Sequence, residues 1–171
     1  MTETVTKSPA EKLPEFIERF KDDVVAIADY RGDLCIDVRK DRLPEMIRFL
    51  KETLQFNMLM DLFGMDYAKY GNGLSGVAVI YNLYSMPTRR RVRLRVFLGE
   101  ERPEIRSICD LFAAANWFER EAFDLFGVTF TSHPNLTRIL CHHDFEGHAL
   151  LKEYPADHYQ RLKSAIPSTE I

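Results

Sequence analysis

The stretch "GVAVIYNLYSMPTRRRVRLRVFLG" constrains the fold more than any other. Its second half alternates: Val92, Leu94, Val96 and Leu98 fall on one side of an extended chain, and Arg91, Arg93 and Arg95 on the other. A period of two with one apolar face predicts a half-buried antiparallel strand. The apolar run before it, "GVAVIYNLYS", reads as its hairpin partner. A sheet with one apolar face must be covered, so amphipathic helices are expected elsewhere in the chain.

Two such helices are legible upstream. "LPEFIERF" carries Pro14 at a helix start, with Leu13, Phe16, Ile17 and Phe20 at helical spacing. Pro44 opens "PEMIRFLKETL", whose Met46, Ile47, Leu50 and Leu54 share one side. Between them, "VVAIADY" and "LCIDVRK" read as strands joined by a tight turn at Arg31-Gly32-Asp33. "FNMLMDLFGMDY" reads as a buried strand, and Gly71, Gly73 and Gly76 punctuate the turn after it. "RPEIRSICDLF", with Pro103 near its first turn and Ile105, Ile108, Cys109 and Phe112 on one face, predicts a third helix. The expected order α-β-β-α-β-β-β-α-α indicates an α+β domain over residues 13–130, its sheet mostly antiparallel and packed by helices. Residues 1–12 read as a flexible lead-in. Residues 131–171, interrupted by Pro134, Gly147 and Pro155, read as an extended, irregular C-terminal arm.

Composition narrows the function classes. Net charge is −3 in 171 residues, which favours a solvated or partner-facing arginine stripe over one that binds phosphates or RNA. No apolar run approaches the roughly 20 residues that span a bilayer, and the polar start lacks the apolar core of a secretory signal. The expectation is a reduced, cytosolic-side protein, with membrane association only through partners. Cys35, Cys109 and Cys141 are widely separated, too few for an iron–sulfur cluster and odd for a disulfide framework. P-loop, G-x-G-x-x-G and G-x-S-x-G patterns do not occur.

Charged residues concentrate in "ANWFEREAFDLFGVTF" at 115–130. Asn116 can act as N-cap and Gly127 as C-terminal stop of a helix over 117–126. On the helical wheel, Phe118, Ala122, Leu125 and Phe126 share one face, and Trp117, Arg120, Glu121 and Asp124 the other. Glu119 falls on the apolar side. A capping box, in which Glu119 reaches back to the Asn116 N–H, explains this, and an inter-subunit hydrogen bond or ion pair is the alternative. Arg120 and Asp124 stand at i,i+4 spacing and are expected to pair. A metal or catalytic role for Glu119, Glu121 and Asp124 is disfavoured, because Glu119 and Glu121 diverge, Arg120 supplies positive charge and no His accompanies them. The second cluster, "CHHDFEGH" at 141–148, contains zinc-type ligands, yet consecutive side chains of an extended arm point apart. The expectation is therefore no metal site and no catalytic residue.

"ANWFEREAFDLFGVTFTSHPNLTRIL" followed by "DFEGHALLKEYP" resembles the signature of the 30 kDa (C) subunit of proton-pumping NADH:quinone oxidoreductase, respiratory complex I. The residues that carry the resemblance are Trp117, Glu119, Arg120, Glu121, Asp124, Gly127, His133, Pro134, Arg138, Gly147, His148, Lys152, Tyr154 and Pro155. Thr137, Ala149 and Leu151 depart from it, standing where the family has a basic residue, Pro and Arg. The resemblance implies a cofactor-free scaffold in the hydrophilic arm of the complex, on the cytoplasmic side of the inner membrane. Its neighbours would be the quinone-site (D) subunit, the terminal-cluster (B) subunit and the I subunit, with iron–sulfur clusters, FMN and quinone held by partners. The signature residues would then be docking residues. A homologous subunit of a membrane-bound [NiFe]-hydrogenase or thylakoid-type complex is the alternative. A free metalloenzyme and an RNA-binding module compete from other classes, and both leave the signature unexplained.

Overall fold

The computed structural model describes residues 12–68, 75–99, 102–158 and 160. Most of the expected lead-in, the turn glycines Gly71 and Gly73, and the end of the arm lie outside the described residues. Lys12, placed in the lead-in by sequence, pairs with Asp29 and donates to the Gly32 carbonyl at 3.0 Å.

Helix α1 (Pro14–Arg19) is followed by strands β1 (Val24–Tyr30) and β2 (Asp33–Val38). The two-residue loop Arg31-Gly32 holds positive φ at both positions, 54° and 94°, the turn that matches strand twist. Helix α2 (Leu43–Glu52) leads to β3 (Met58–Asp66), β4 (Val77–Ser85) and β5 (Arg90–Phe97). These strands form one sheet in the order β1-β2-β5-β4-β3. All neighbours are antiparallel except β2 and β5, which run parallel. The fold is thus α+β with a mostly antiparallel sheet.

The alternation of β5 is realised: Val92, Leu94 and Val96 are buried. They continue an apolar layer with Leu34 and Ile36 of β2 and Val79 and Tyr81 of β4, covered by Phe16, Met46, Ile47 and Leu50 from the helices. Each fully buried side chain of this kind contributes about 1.5–3 kcal/mol. The arginine side is committed within the chain. Arg95 makes a two-pronged pair with Asp37 at 2.7 Å from each nitrogen, across the parallel register, and Arg93 donates to Asn82 at 2.8 Å. Such planar, bidentate pairs hold adjacent strands in register.

The third helix expected from "RPEIRSICDLF" does not form. Glu104–Arg106 is instead strand β6, parallel to β7 (Thr129–Thr131), in a separate two-stranded sheet. Thr129 donates to the Pro103 carbonyl at 2.8 Å and Ser107 to the Thr131 carbonyl at 2.9 Å. A nonlocal ladder has overridden local helical spacing, and only a single turn survives, where Leu111 and Phe112 donate to the Ile108 carbonyl. Ile105, Ile108 and Phe112 are buried all the same.

Helix α3 (Ala115–Phe126) packs against β3. The contact is closest at Gly64, where an added Cβ meets the Phe126 ring at 2.6 Å. No helix of the described residues is long and apolar enough to cross a membrane. Gly64→Ala must push α3 off the sheet, and we expect it to cost about 1–3 kcal/mol, read as a lowered urea midpoint at unchanged slope.

Candidate functional site

The signature residues converge on α3 and on residues 131–158, which fold back over it. The helix begins at Ala115, two residues before the start expected with Asn116 as N-cap. Ala114 occupies the N-cap without a side-chain bond, so neither the Asn116 cap nor the Glu119 capping box forms. The stop at Gly127 is realised in left-handed conformation (φ 74°), with its N–H on the Phe123 carbonyl at 3.0 Å. A Cβ there would meet the His148 ring at 2.8 Å, so glycine serves both the turn and the close approach.

Asp124 departs furthest from the helical wheel: it is fully buried. Its Oδ2 accepts the N–H groups of Ile139, Leu140 and Cys141 at 3.0, 2.8 and 2.8 Å. Its Oδ1 accepts Arg138 Nη1 at 2.7 Å. Removal from water pushes this carboxyl upward, but the N–H groups of Cys141, Leu140 and Ile139 and the Arg138 guanidinium together outweigh it and hold it at about 2. The expected Arg120–Asp124 pair is absent among the described contacts. Arg120 turns instead to the carbonyls of Thr137 and Arg138, at 3.0 and 3.2 Å, and lies over the Trp117 ring. Arg138 also donates to the Gly147 carbonyl at 2.9 Å.

The returning segment caps α3. The last carbonyls of a helix lack internal partners. Here His148 Nδ1 donates to Asp124 O at 2.9 Å, and Leu150 N–H donates to Leu125 O at 3.0 Å. Further on, the Lys152 N–H donates to Asp66 Oδ2 at 2.7 Å, across 86 positions of sequence. Tyr154 stacks on Phe145 and accepts from Gln160 at 2.8 Å. Pro155 is exposed. Leu151, which replaces an arginine of the family pattern, packs on the chain's own core, whereas the Thr137 side chain is exposed and only its carbonyl is used.

Glu119 is also fully buried, but in a different setting. Its Oε1 accepts the Ile108 N–H at 2.8 Å, and Cys109 Sγ lies 3.5 Å from Oε2. Burial raises its pKa, and burial likewise raises the Cys109 thiol to about 11. His133 stands beside it, 4.0 Å from Oε2. Cys109, Glu119 and His133 bring three metal-type ligand atoms together. The tautomer of His133 opposes an ion there. Its Nδ1 accepts the Asn135 N–H at 3.0 Å, so Nε2 carries the proton and faces the Asn116 carbonyl at 3.3 Å. A metal needs that nitrogen bare. The arrangement holds a proton at Nε2 and a carboxyl whose charged form is disfavoured.

The segment therefore brings together Glu119, Asp124, Arg120, His133, Arg138 and His148, and leaves Trp117 (59% exposed) and Glu121 outward. Sequence reading missed Asp66. Its signal was a second acidic residue in an otherwise apolar strand, and it proves to anchor the arm.

Two predictions test the opposed carboxylates. Asp124 has its folded pKa below the ordinary value, so its stabilisation is complete above about pH 4 and is lost as pH falls toward about 2. Asp124→Asn should destabilise the chain by about 2 kcal/mol or more at neutral pH and remove that acid limb, measured by urea unfolding across pH. Glu119 has its folded pKa raised, so ionisation weakens the fold as pH rises. Glu119→Gln should gain stability relative to the parent with rising pH, while Glu119→Ala, which orphans the Ile108 N–H, should lose about 2–3 kcal/mol.

Similarity to known proteins agrees with this geometry. The model of the family described as respiratory-chain NADH dehydrogenase, 30 Kd subunit, matches residues 36–160. The C subunit of the NADH-quinone oxidoreductase of Acidithiobacillus ferrooxidans (strain ATCC 53993 / BNL-5-31) is 41% identical over 130 residues, 73% of this chain and 64% of that relative. The chain thus covers under two thirds of that relative. The joined C/D subunit of the NADH-quinone oxidoreductase of Bdellovibrio bacteriovorus is 40% identical over 136 residues, 80% of this chain and 24% of that longer protein. Among solved structures, the trypsin-resistant fragment (1-134) of Nqo5 superposes with a TM-score of 0.66 at 33% identity, covering 75% of this chain and all of that one. With its signature carboxylates placed and its match running through most of the sequence, this chain belongs to the family of the 30 kDa subunit of respiratory-chain NADH dehydrogenase.

Proposed function

We propose that this chain is a structural subunit of the hydrophilic arm of an NADH:quinone oxidoreductase, supporting electron transfer from NADH to quinone coupled to proton translocation. The observation that carries the reading is how the signature spends its charge. Asp124 and Glu119 accept backbone N–H groups of the segments they organise, and Arg120 and Arg138 hold carbonyls. That is the use a scaffold makes of ionisable groups, whereas acid–base chemistry requires them to face a substrate.

In this reading the chain contributes no catalytic residue and no cofactor of its own. Iron–sulfur clusters, FMN and quinone belong to its partners. The quinone-site (D) subunit is the first neighbour expected, a choice supported by the Bdellovibrio relative whose name joins C and D. The terminal-cluster (B) subunit and the I subunit complete the set. Association with the cytoplasmic face of the inner membrane is peripheral, through the complex. Rigid partners keep cofactor distances fixed, and buried area supplies the rigidity. Trp117, Leu140 and Leu150 are exposed apolar side chains on α3 and the segment laid over it, suited to anchoring a neighbour.

Gentle affinity purification of the chain from its native membranes, with mass spectrometry, tests the proposal. Quinone-site and iron–sulfur subunits of an NADH dehydrogenase are expected alongside it. A lone chain, or a nickel-site large subunit in their place, would overturn it. Trp117→Ala should lower the recovered complex severalfold while moving the thermal midpoint of the isolated chain little, since the indole is largely outside the fold.

A further inference from the structure

The cluster at residues 142–144 contradicts the premise used against it from sequence. Consecutive side chains diverge in an extended strand. Here the backbone turns instead: the Phe145 N–H closes on the His142 carbonyl at 2.9 Å. Ligand-type atoms of His142, His143 and Asp144 come within 4.8 Å of one another as a result. The two imidazole rings lie 4.0 Å apart, and the Asp144 carboxylate reaches both, at 3.3 Å from His143 Nε2 and 3.9 Å from His142 Nδ1.

We propose that His142, His143 and Asp144 form a surface site for a borderline divalent cation of the Zn2+ kind. Bonds of about 2.0–2.1 Å in a tetrahedral shell separate ligand atoms by about 3.3 Å. The His143–Asp144 pair already stands at that separation. Closing the remaining gap requires the His143 side chain, 69% accessible, to move toward His142 and Asp144, which are part-buried on the same turn. The tautomer of His142 also suits an ion. His142 Nδ1 accepts the Asp144 N–H at 3.2 Å, so that nitrogen is bare, and an ion would take over this long bond. Two nitrogens and one carboxylate select Zn2+ and its neighbours over Mg2+ or Ca2+, which prefer all-oxygen shells. Three protein ligands leave an outward position for water or for a donor from an adjoining subunit.

Cys141 and His148 lie outside this set. The backbone of Cys141 is held by Asp124, and the His148 ring caps α3. The site is thus distinct from the buried Cys109–Glu119–His133 group, and a thiolate signature separates the two experimentally.

The test uses the untagged full chain, titrated with Zn2+ against a chromophoric chelator and separately with Co2+. One equivalent of Zn2+ should bind to the parent and to Cys109→Ser alike. His143→Ala and Asp144→Ala should each weaken binding by at least about tenfold, as loss of a direct ligand should cost no less than loss of its supporting contacts. The bound Co2+ should show visible bands without thiolate charge transfer in the near ultraviolet. Failure of the parent to bind, equal binding by the His143 and Asp144 variants, or a thiolate band abolished by Cys109→Ser would each overturn the proposal. Circular dichroism checks that the variants are folded.

Discussion

One carboxylate organises the C-terminal third of this molecule. Asp124 sits fully buried in the last turn of α3, where a charge out of water is costly. It is held there because one oxygen collects three successive backbone N–H groups and the other the Arg138 guanidinium. The chain from 138 to 141 must wrap around that oxygen to make these bonds. Once wrapped, it places Arg138 on the Gly147 carbonyl and brings His148 and Leu150 onto the open carbonyls of α3. Irregular backbone thus acquires order from charge-assisted hydrogen bonds where no sheet ladder is available.

Two carboxylates on the same helix are driven in opposite directions. Asp124 has donors enough to outweigh its burial, and it stays ionised at any ordinary pH. Burial dominates at Glu119, where fewer and weaker donors answer it. The number of donors decides the sign, because desolvation acts on both. The fully buried Tyr81 hydroxyl lies in the field of Glu119 and is raised by burial in the same way. Burial therefore works against the charged form under the first half of α3, whereas the cluster under its second half is ionic.

The division bears on function. The acidic and basic residues of the signature are largely consumed in joining α3 to the arm, and under the proposed scaffold reading Trp117, Glu121 and the apolar side chains of the arm are left for contact. The Leu151 departure fits this arrangement. It exchanges the guanidinium of the family pattern for a side chain that packs on the core of the chain. A cation held at the 142–144 turn would sit on the same arm, outside the ionic cluster.

The α+β class, the positions of α1, α2 and the strands of the main sheet, and the Gly127 stop were legible in the sequence. Local periodicity and glycine chemistry act over a few residues, and tertiary context did not override them there. The family was legible too, because rare residue types stand at fixed spacing. The 103–112 segment was misread, since a parallel ladder to β7 defeated its helical spacing. The wheel placed Asp124 outside because it assumes one buried face, whereas α3 is covered by β3 on one side and by the arm on another. Pairing of Asp124 with Arg138 rather than Arg120, and of Asp66 with the Lys152 N–H, was decided by tertiary structure alone. Sequence determines which groups are present and which elements are locally stable. Partners separated by a dozen to 86 residues depend on how the arm returns, and that path is set by the competition of buried charges for donors.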